Sequence, residues 1–166
     1  KYFGKSLLAN GGEISYHGYN HQPLTPKGVD YGDEFPTYKT WKDKKAMASA
    51  ISELLRFTKE LFPKGEKSIY IPPSNVLSKE GREVLREKFP EIKSIASNYF
   101  PGKFTYSQEF EVADDGMIEQ PRIVSGASWD AYSKLTVFSE LNMHYVTTHF
   151  LHPDDVMDED RGAKLG

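Results

Sequence analysis

Segments with helical and with strand-like hydrophobic spacing alternate along the whole chain, and this alternation restricts the possible folds more than any other feature. Apolar positions follow helical spacing from Trp41 to Phe62, where Pro63 ends the pattern. Further helices are predicted over 1–10, 78–89 and 130–142, and strands over 13–17, 67–71, 92–97, 106–112 and the apolar run after His144. A turn is predicted at 114–116, directly after the strand 106–112. Because no internal repeat or linker interrupts the series, the pattern predicts one α/β unit.

Composition limits the partners and ligands that this unit can have. The 166 residues are 38% hydrophobic, enough for one core, and no run approaches the roughly 18 apolar residues needed to cross a bilayer. A net charge of -3 and scattered Lys and Arg residues argue against a nucleic-acid partner. With no cysteine, the available metal ligands are His, Asp and Glu. Since the chain begins at Lys1 without an apolar leader and stops after a charged run, we expect a piece of a longer protein.

His17 is the last residue of the predicted strand 13–17, and His21 follows four residues later. Neutral imidazole is the commonest protein ligand for zinc and similar metals, and the two rings would converge if the backbone after His17 turned helically. This spacing also occurs by chance, and either ring could instead be a hydrogen-bonded loop residue. The pair is therefore a candidate metal site.

The segment from Leu7 to Leu24 is similar to the second motif of the polysaccharide deacetylases, the NodB-homology group that forms carbohydrate esterase family 4. In that family a helix ends at a glycine, a strand begins with Glu-Ile, and a His-Ser/Thr-x-x-His segment binds the catalytic metal. The resemblance implies that His17 and His21 bind zinc or another divalent transition metal. Gly18 stands where the family usually has Ser or Thr, so we expect weaker support of the motif loop without loss of a ligand.

A double proline follows the predicted strand 67–71, and the run Ile71-Pro72-Pro73-Ser74-Asn75 resembles the family's third motif, Arg-Pro-Pro-x-Gly. In the family this motif forms one wall of the active-site groove, and its Arg orients a catalytic carboxylate. Ile71 replaces the Arg and Asn75 replaces the Gly, so we expect the wall to remain while the orienting charge is lost or comes from elsewhere. A double proline can also simply end a strand.

Trp129 and Asp130 loosely resemble the strand-end motif of Asp and Trp that supports the groove in the family. Asp130 could equally be the N-cap of helix 130–142, and Trp129 a core residue. Arg122 is a candidate to replace the missing Arg of the third motif in space. The resemblance thus predicts a substrate groove lined by Tyr19, Pro72, Pro73, Ser74, Asn75, Arg122, Trp129 and Asp130.

The last motif of the family is an apolar strand that ends in a histidine acting as general acid. Here a β-branched and aromatic run leads to His149 and His152, and both are predicted as catalytic residues. His149 is preferred because it lies at the end of the strand, whereas His152 lies on the turn before Pro153. We predict that His144 interacts with the carbonyls at a helix C-terminus, and that the acidic run from 154 to 160 is an N-cap and solvated first turn.

The resemblance implies an incomplete or distorted (β/α) barrel of the polysaccharide deacetylase type, with residues 1–166 as the C-terminal major part of the catalytic domain. The family's first motif, Thr-Phe-Asp-Asp, supplies the catalytic base and the third metal ligand, and the chain does not contain it. We therefore expect this motif upstream in the intact protein and little or no activity in the fragment. Asp30 and Asp33 could reach His17 and His21, although a solvated loop is the simpler role for both.

The implied reaction is the metal-dependent removal of acetyl groups from a carbohydrate polymer, in which His149 or His152 protonates the leaving group. This implies a polysaccharide or other acetylated glycan as partner and an extracellular or cell-surface location. Two alternatives remain open: a non-catalytic carbohydrate-binding or scaffold module on the same fold, and a different metal-dependent hydrolase. A pair of Asp residues upstream would distinguish the enzyme from the binding module.

Overall fold

The computed structural model describes residues 2–26, 40–64, 67–97, 109–126, 129–157 and 159. The helices are α1 (Tyr2–Ala9), α2 (Lys44–Leu61), α3 (Lys79–Lys88), α4 (Ala131–His144) and α5 (Pro153–Met157). The strands are β1 (Ile69–Tyr70), β2 (Ser94–Ile95), β3 (Glu111–Val112), β4 (Ile118–Glu119), β5 (Val124–Ser125) and β6 (His149–Phe150). Two single helical turns, Tyr19–His21 and Pro73–Asn75, follow strand-like segments. The described residues therefore form a mixture of helices and small sheets.

The predicted helices are confirmed, with their ends set by capping side chains. Asp43 accepts a hydrogen bond from the Ala46 backbone N–H at 2.8 Å, so α2 begins after this residue rather than at Trp41. Ser78 caps α3 in the same way, accepting from the Gly81 N–H at 3.0 Å. No helix in the described part of the chain is long and apolar enough to span a membrane.

Most of the described strands pair in parallel. Tyr16 forms a parallel bridge to Tyr70, β1 pairs with β2, and β2 pairs with β4. Parallel hydrogen bonds continue along the β2 segment. They run from the backbone N–H groups of Ile118, Gln120 and Arg122 to the carbonyl oxygens of Lys93, Ile95 and Ser97, and the last of them is 2.6 Å long. From Val124 the same stretch pairs in parallel with β6. The one antiparallel pair among the described strands is the β3–β4 hairpin, closed by the predicted turn at 114–116.

Parallel pairing brings the residues that follow the paired strands to the same edge of their sheet, where ligand sites form in α/β proteins. The segments concerned begin at His17, Ile71, Ser97, Arg122 and Leu151. The described strands form two small sheets, and closure into a barrel of the deacetylase type stays a prediction.

The core lies beneath α2 and α3 and supports the edge. Its largest fully buried side chains come from β1, β2, α2, α3 and the loop before residue 27, and include Tyr70, Ile95, Met47, Ile51, Leu85 and Leu24. By contrast, α4 buries only Val137, and several of its other apolar side chains face outward: Tyr132, Leu135 and Phe138. The packed helices α2 and α3 therefore lie against the strands that lead to His17 and Pro72.

Candidate functional site

His17 follows the bridge at Tyr16, and a backbone contact sets the state of its ring. The ring Nδ1 lies 2.9 Å from the carbonyl oxygen of Ile71, at the end of β1. A carbonyl oxygen can only accept, so Nδ1 carries the proton in this contact and Nε2 keeps its lone pair. Metal-binding histidines are commonly oriented by such a contact on their other nitrogen. The side chain at this position is thus held in the tautomer that a metal needs.

The electrostatic surroundings of His17 favour the neutral ring. Although the side chain is partly exposed, desolvation of its packed side lowers its pKa below the usual value. The Ile71 carbonyl opposes this shift, and His21, Arg122 and His152 add to it because each can carry positive charge. The structure therefore brings the last two residues into the neighbourhood of the histidine pair, although both lie far away in sequence.

The backbone between the two histidines does not make the right-handed helical turn that convergence was expected to need. Asn20 and His21 have φ values of 53° and 54°, in the left-handed region. The rings nevertheless touch edge to face, with centroids 4.8 Å apart. The predicted proximity is confirmed, and the expected geometry of the turn is wrong.

The structure explains why position 18 is a glycine, where the deacetylase motif has Ser or Thr. Its φ of 70° and ψ of 157° are accessible to glycine and costly for other residues. A Cβ at this position would also overlap the ring of Pro73, which is fully buried. A Ser or Thr side chain is therefore excluded at position 18, because the Tyr19–His21 turn packs closely against the double proline.

The Pro73–Asn75 turn lies beside the histidine pair. Pro72 and Pro73 are buried, and Ser74 and Asn75 are half-buried with left-handed φ values of 50° and 61°. Asparagine tolerates this conformation better than most residues, so Asn75 can stand where the deacetylase motif has glycine. Tyr19 is half-buried on the neighbouring turn. These predicted groove residues thus flank His17, and their contact with a glycan stays a prediction.

Arg122 stacks on the ring of Phe150, with its guanidinium carbon 4.4 Å from the ring centroid. Its Nε is buried without a hydrogen-bond partner, and its pKa is lowered by desolvation. Within the described residues the guanidinium forms neither an ion pair nor a side-chain hydrogen bond. The site therefore contains a desolvated cation, and no carboxylate of the described residues lies beside it.

The two C-terminal histidines have different surroundings. His149 Nε2 lies 2.7 Å from the Gly126 carbonyl oxygen, so this nitrogen carries the proton and cannot also accept from Trp129. Trp129, at 36% exposure, therefore contacts His149 by ring packing, edge to face with centroids 5.0 Å apart. His152 is exposed, and its backbone N–H donates to Asp155 at 2.9 Å. Positive charge on His152 lowers the pKa of His17, so these two side chains are near each other.

Two of the remaining predicted positions have clear structural roles. Asp130 is exposed and caps α4, accepting from the Ser133 backbone N–H at 2.7 Å, which is the alternative considered for it in the sequence. His144 lies in the last turn of α4, as predicted, with Glu140 at 3.5 Å. Asp30 and Asp33 lie outside the described residues. Among the residues that are described, no group of three or more His, Asp or Glu side chains is arranged to hold a metal.

Comparison with known proteins identifies a family. A family model described as an uncharacterised protein conserved in bacteria, DUF2194, matches residues 2–165. The chain belongs to the DUF2194 family. No curated protein and no solved structure matches the chain.

In this DUF2194 chain, sequence reasoning missed the partners that hold the site residues. The carbonyls of Ile71 and Gly126 and the ring of Phe150 were not singled out, although each contacts a predicted residue. The glycine at position 126 was the one sequence signal here, because glycine often marks an unusual backbone conformation. In the structure Gly126 follows β5 with a φ of 77°. Main-chain carbonyls otherwise leave no mark in a sequence, because every residue carries one.

Proposed function

We propose that the chain is the greater part of a polysaccharide deacetylase-like hydrolase, which removes acetyl groups from a carbohydrate polymer with the help of a divalent metal. One observation carries this proposal: the Ile71 carbonyl holds His17 with Nε2 available, and the ring of His21 packs against it. The pair lies beyond the end of a parallel strand-like segment, beside a double proline, in the order in which the deacetylase motifs occur.

The donor set agrees in part with a bound zinc or similar ion. Imidazole suits these metals, and the tautomer of His17 is the one required. Such an ion would lower the pKa of a water and polarise an acetyl carbonyl. The roles left to this chain are to hold the ion through His17 and His21 and to position the glycan. The third ligand and the base belong, in the proposal, to the upstream Asp pair.

His152 is the better candidate for the general acid. Its side chain is exposed, its backbone is held by Asp155, and it is close enough to His17 for the two charges to interact. A general acid must be able to reach the leaving amine or alkoxide beside the activated carbonyl. His149 contributes in another way, since its bond to Gly126 and packing on Trp129 hold the strand end beside the groove.

The glycan would lie along the surface formed by Tyr19 and the Pro73–Asn75 turn, with Trp129 further along. Tyrosine and tryptophan rings offer flat faces for sugar rings, and the partly exposed Trp129 is suited to this use. A polymer substrate also agrees with an extracellular or cell-surface location.

The test is metal analysis combined with acetate release from acetylated chitin and xylan oligomers, using the intact protein and single variants. Replacing His17 or His21 by Ala should lower both metal content and rate. Replacing His152 by Ala should leave metal content intact and lower the rate by about 10²–10⁴, the range expected for a lost general acid. His144→Gln is the matched control, because this histidine lies in the last turn of α4.

Full metal content in both His17→Ala and His21→Ala would overturn the metal site. Loss of metal from His152→Ala would show that this residue is a ligand and not the acid. If His149→Ala alone lowers the rate while its folding is unchanged, the acid is His149, as the sequence suggested.

A non-catalytic carbohydrate-binding module is the second candidate, favoured by the absence of a third ligand around the histidine pair within the described residues. This alternative predicts that the intact protein binds the oligomers without releasing acetate and that removing metal leaves the affinity unchanged.

A further inference from the structure

We infer that Arg122 is the receptor for an anionic group, a carboxylate or a phosphate, on the ligand that binds beside His17 and His21. The inference deepens the proposed function and rests on it for the identity of the ligand as a glycan. It adds that the glycan, or a substituent next to the reacting acetyl group, is acidic.

Arg122 carries a charge that no described carboxylate neutralises. Placing a guanidinium in a desolvated position is costly unless carboxylates or other acceptors surround it. Elsewhere in the described structure this rule is followed: Arg82 binds Asp115 through two bonds of 2.7 Å and also contacts Glu119. Arg122 differs, since its buried Nε has no hydrogen-bond partner and no described carboxylate lies beside it.

The Arg122 side chain is held in place although no described residue forms an ion pair with it. Its backbone N–H donates to Ser97 O at 2.6 Å, which ties it to the end of the β2 ladder. Its guanidinium carbon lies over the Phe150 ring, 4.4 Å from the centroid, so the ring supports the side chain from one side. No described residue accepts a hydrogen bond from its terminal nitrogens, Nη1 and Nη2, and these form the fork that binds oxyanions.

Several described groups near His17 would attract an anion when they carry positive charge. His21, Arg122 and His152 each lower the pKa of His17, and of these three His152 has a carboxylate, Asp155, at 3.9 Å. An oxyanion on the ligand would satisfy Arg122 and be attracted by the neighbouring imidazoles.

The experiment is a nuclear magnetic resonance titration of the metal-free intact protein that follows the guanidinium ¹⁵N signals of Arg122. Separate titrations use inorganic phosphate, glucuronate and, as the neutral probe, glucose, all at constant ionic strength. We expect saturable shifts with one or both anions and none with glucose. The two anion titrations show whether the receptor prefers phosphate or carboxylate.

Two variants assign the effect to the side chain. Arg122→Met keeps an unbranched chain against Phe150 but removes the charge, and should weaken anion binding by about 10- to 100-fold, the usual cost of losing charge-assisted hydrogen bonds. Arg122→Lys keeps the charge and tests folding separately, with an intermediate loss because the fork is gone. Arg86→Met is the control, since Arg86 is exposed and paired with Glu87, and should bind as the parent does.

The inference is overturned if neither anion moves the Arg122 signals, or if Arg122→Met binds phosphate as tightly as the parent protein. It is also overturned if the signals of the intact protein already show Arg122 paired with a carboxylate from another part of the chain. Because the titration uses neither metal nor acetate release, its result is separate from the test of the deacetylase proposal.

Discussion

Replacing Gly18 tests whether the histidine turn depends on its packing against Pro73. The backbone at Gly18, with φ 70° and ψ 157°, should cost another residue about 1–3 kcal/mol. A Cβ would in addition overlap the buried Pro73 ring, and overpacking of this kind costs about 1–3 kcal/mol. Gly18→Ala should therefore lower the free energy of unfolding by about 2–6 kcal/mol.

The assay is urea unfolding followed by far-ultraviolet circular dichroism, with Gly116→Ala as the matched control. Gly116 also has a positive φ, 83°, but a Cβ there would meet nothing within 4 Å, so its replacement carries the backbone cost alone. That cost is about 1–2 kcal/mol. Gly18→Ser should be at least as harmful as Gly18→Ala, even though it restores the residue type typical of the deacetylase motif.

A double-mutant cycle with Pro73→Ala isolates the contact. Removing the ring should relieve part of the cost of Gly18→Ala, giving a favourable coupling of about 1–3 kcal/mol. The reasoning fails if Gly18→Ala costs no more than Gly116→Ala, or if the cycle shows no coupling between the two positions.

Two further predictions concern the ion-pair cluster of Arg82, Asp115 and Glu119, whose side chains are 14%, 19% and 4% exposed. Arg82→Met should cost about 3–5 kcal/mol in urea unfolding at pH 7, because it removes the guanidinium from the buried carboxylate of Glu119. A cost below that of an exposed-site control such as Arg86→Met would contradict this. Arg82 also holds the pKa of Asp115 below its usual value, so the folded state binds fewer protons than the unfolded state and is stabilised above the usual pKa of about 3.9. This contribution should be lost as pH falls through the folded pKa of Asp115. The difference in unfolding free energy between the parent and Arg82→Met should therefore shrink from pH 7 to pH 3. A difference that stays constant over this range would contradict the linkage.

The sequence by itself determined the features that depend on neighbouring residues. Helical spacing located α2 and α3. The N-cap role considered for Asp130 and the turn predicted at 114–116 also agree with the structure. Capping, turns and hydrophobic periodicity act over a few residues, so they can be recognised without knowing the rest of the fold. The adjacency of His17 and His21 belongs here too, although the left-handed turn between them was not expected.

Only the tertiary structure decided which distant groups surround that pair. The parallel pairing of successive strands brings Ile71 to His17 and places Arg122 and His152 in its electrostatic environment. It also leaves Arg122 on Phe150 without a carboxylate, which no local pattern could indicate. The physical reason is that strand register and the packing of α2 and α3 set these distances, and both depend on interactions summed over the whole core.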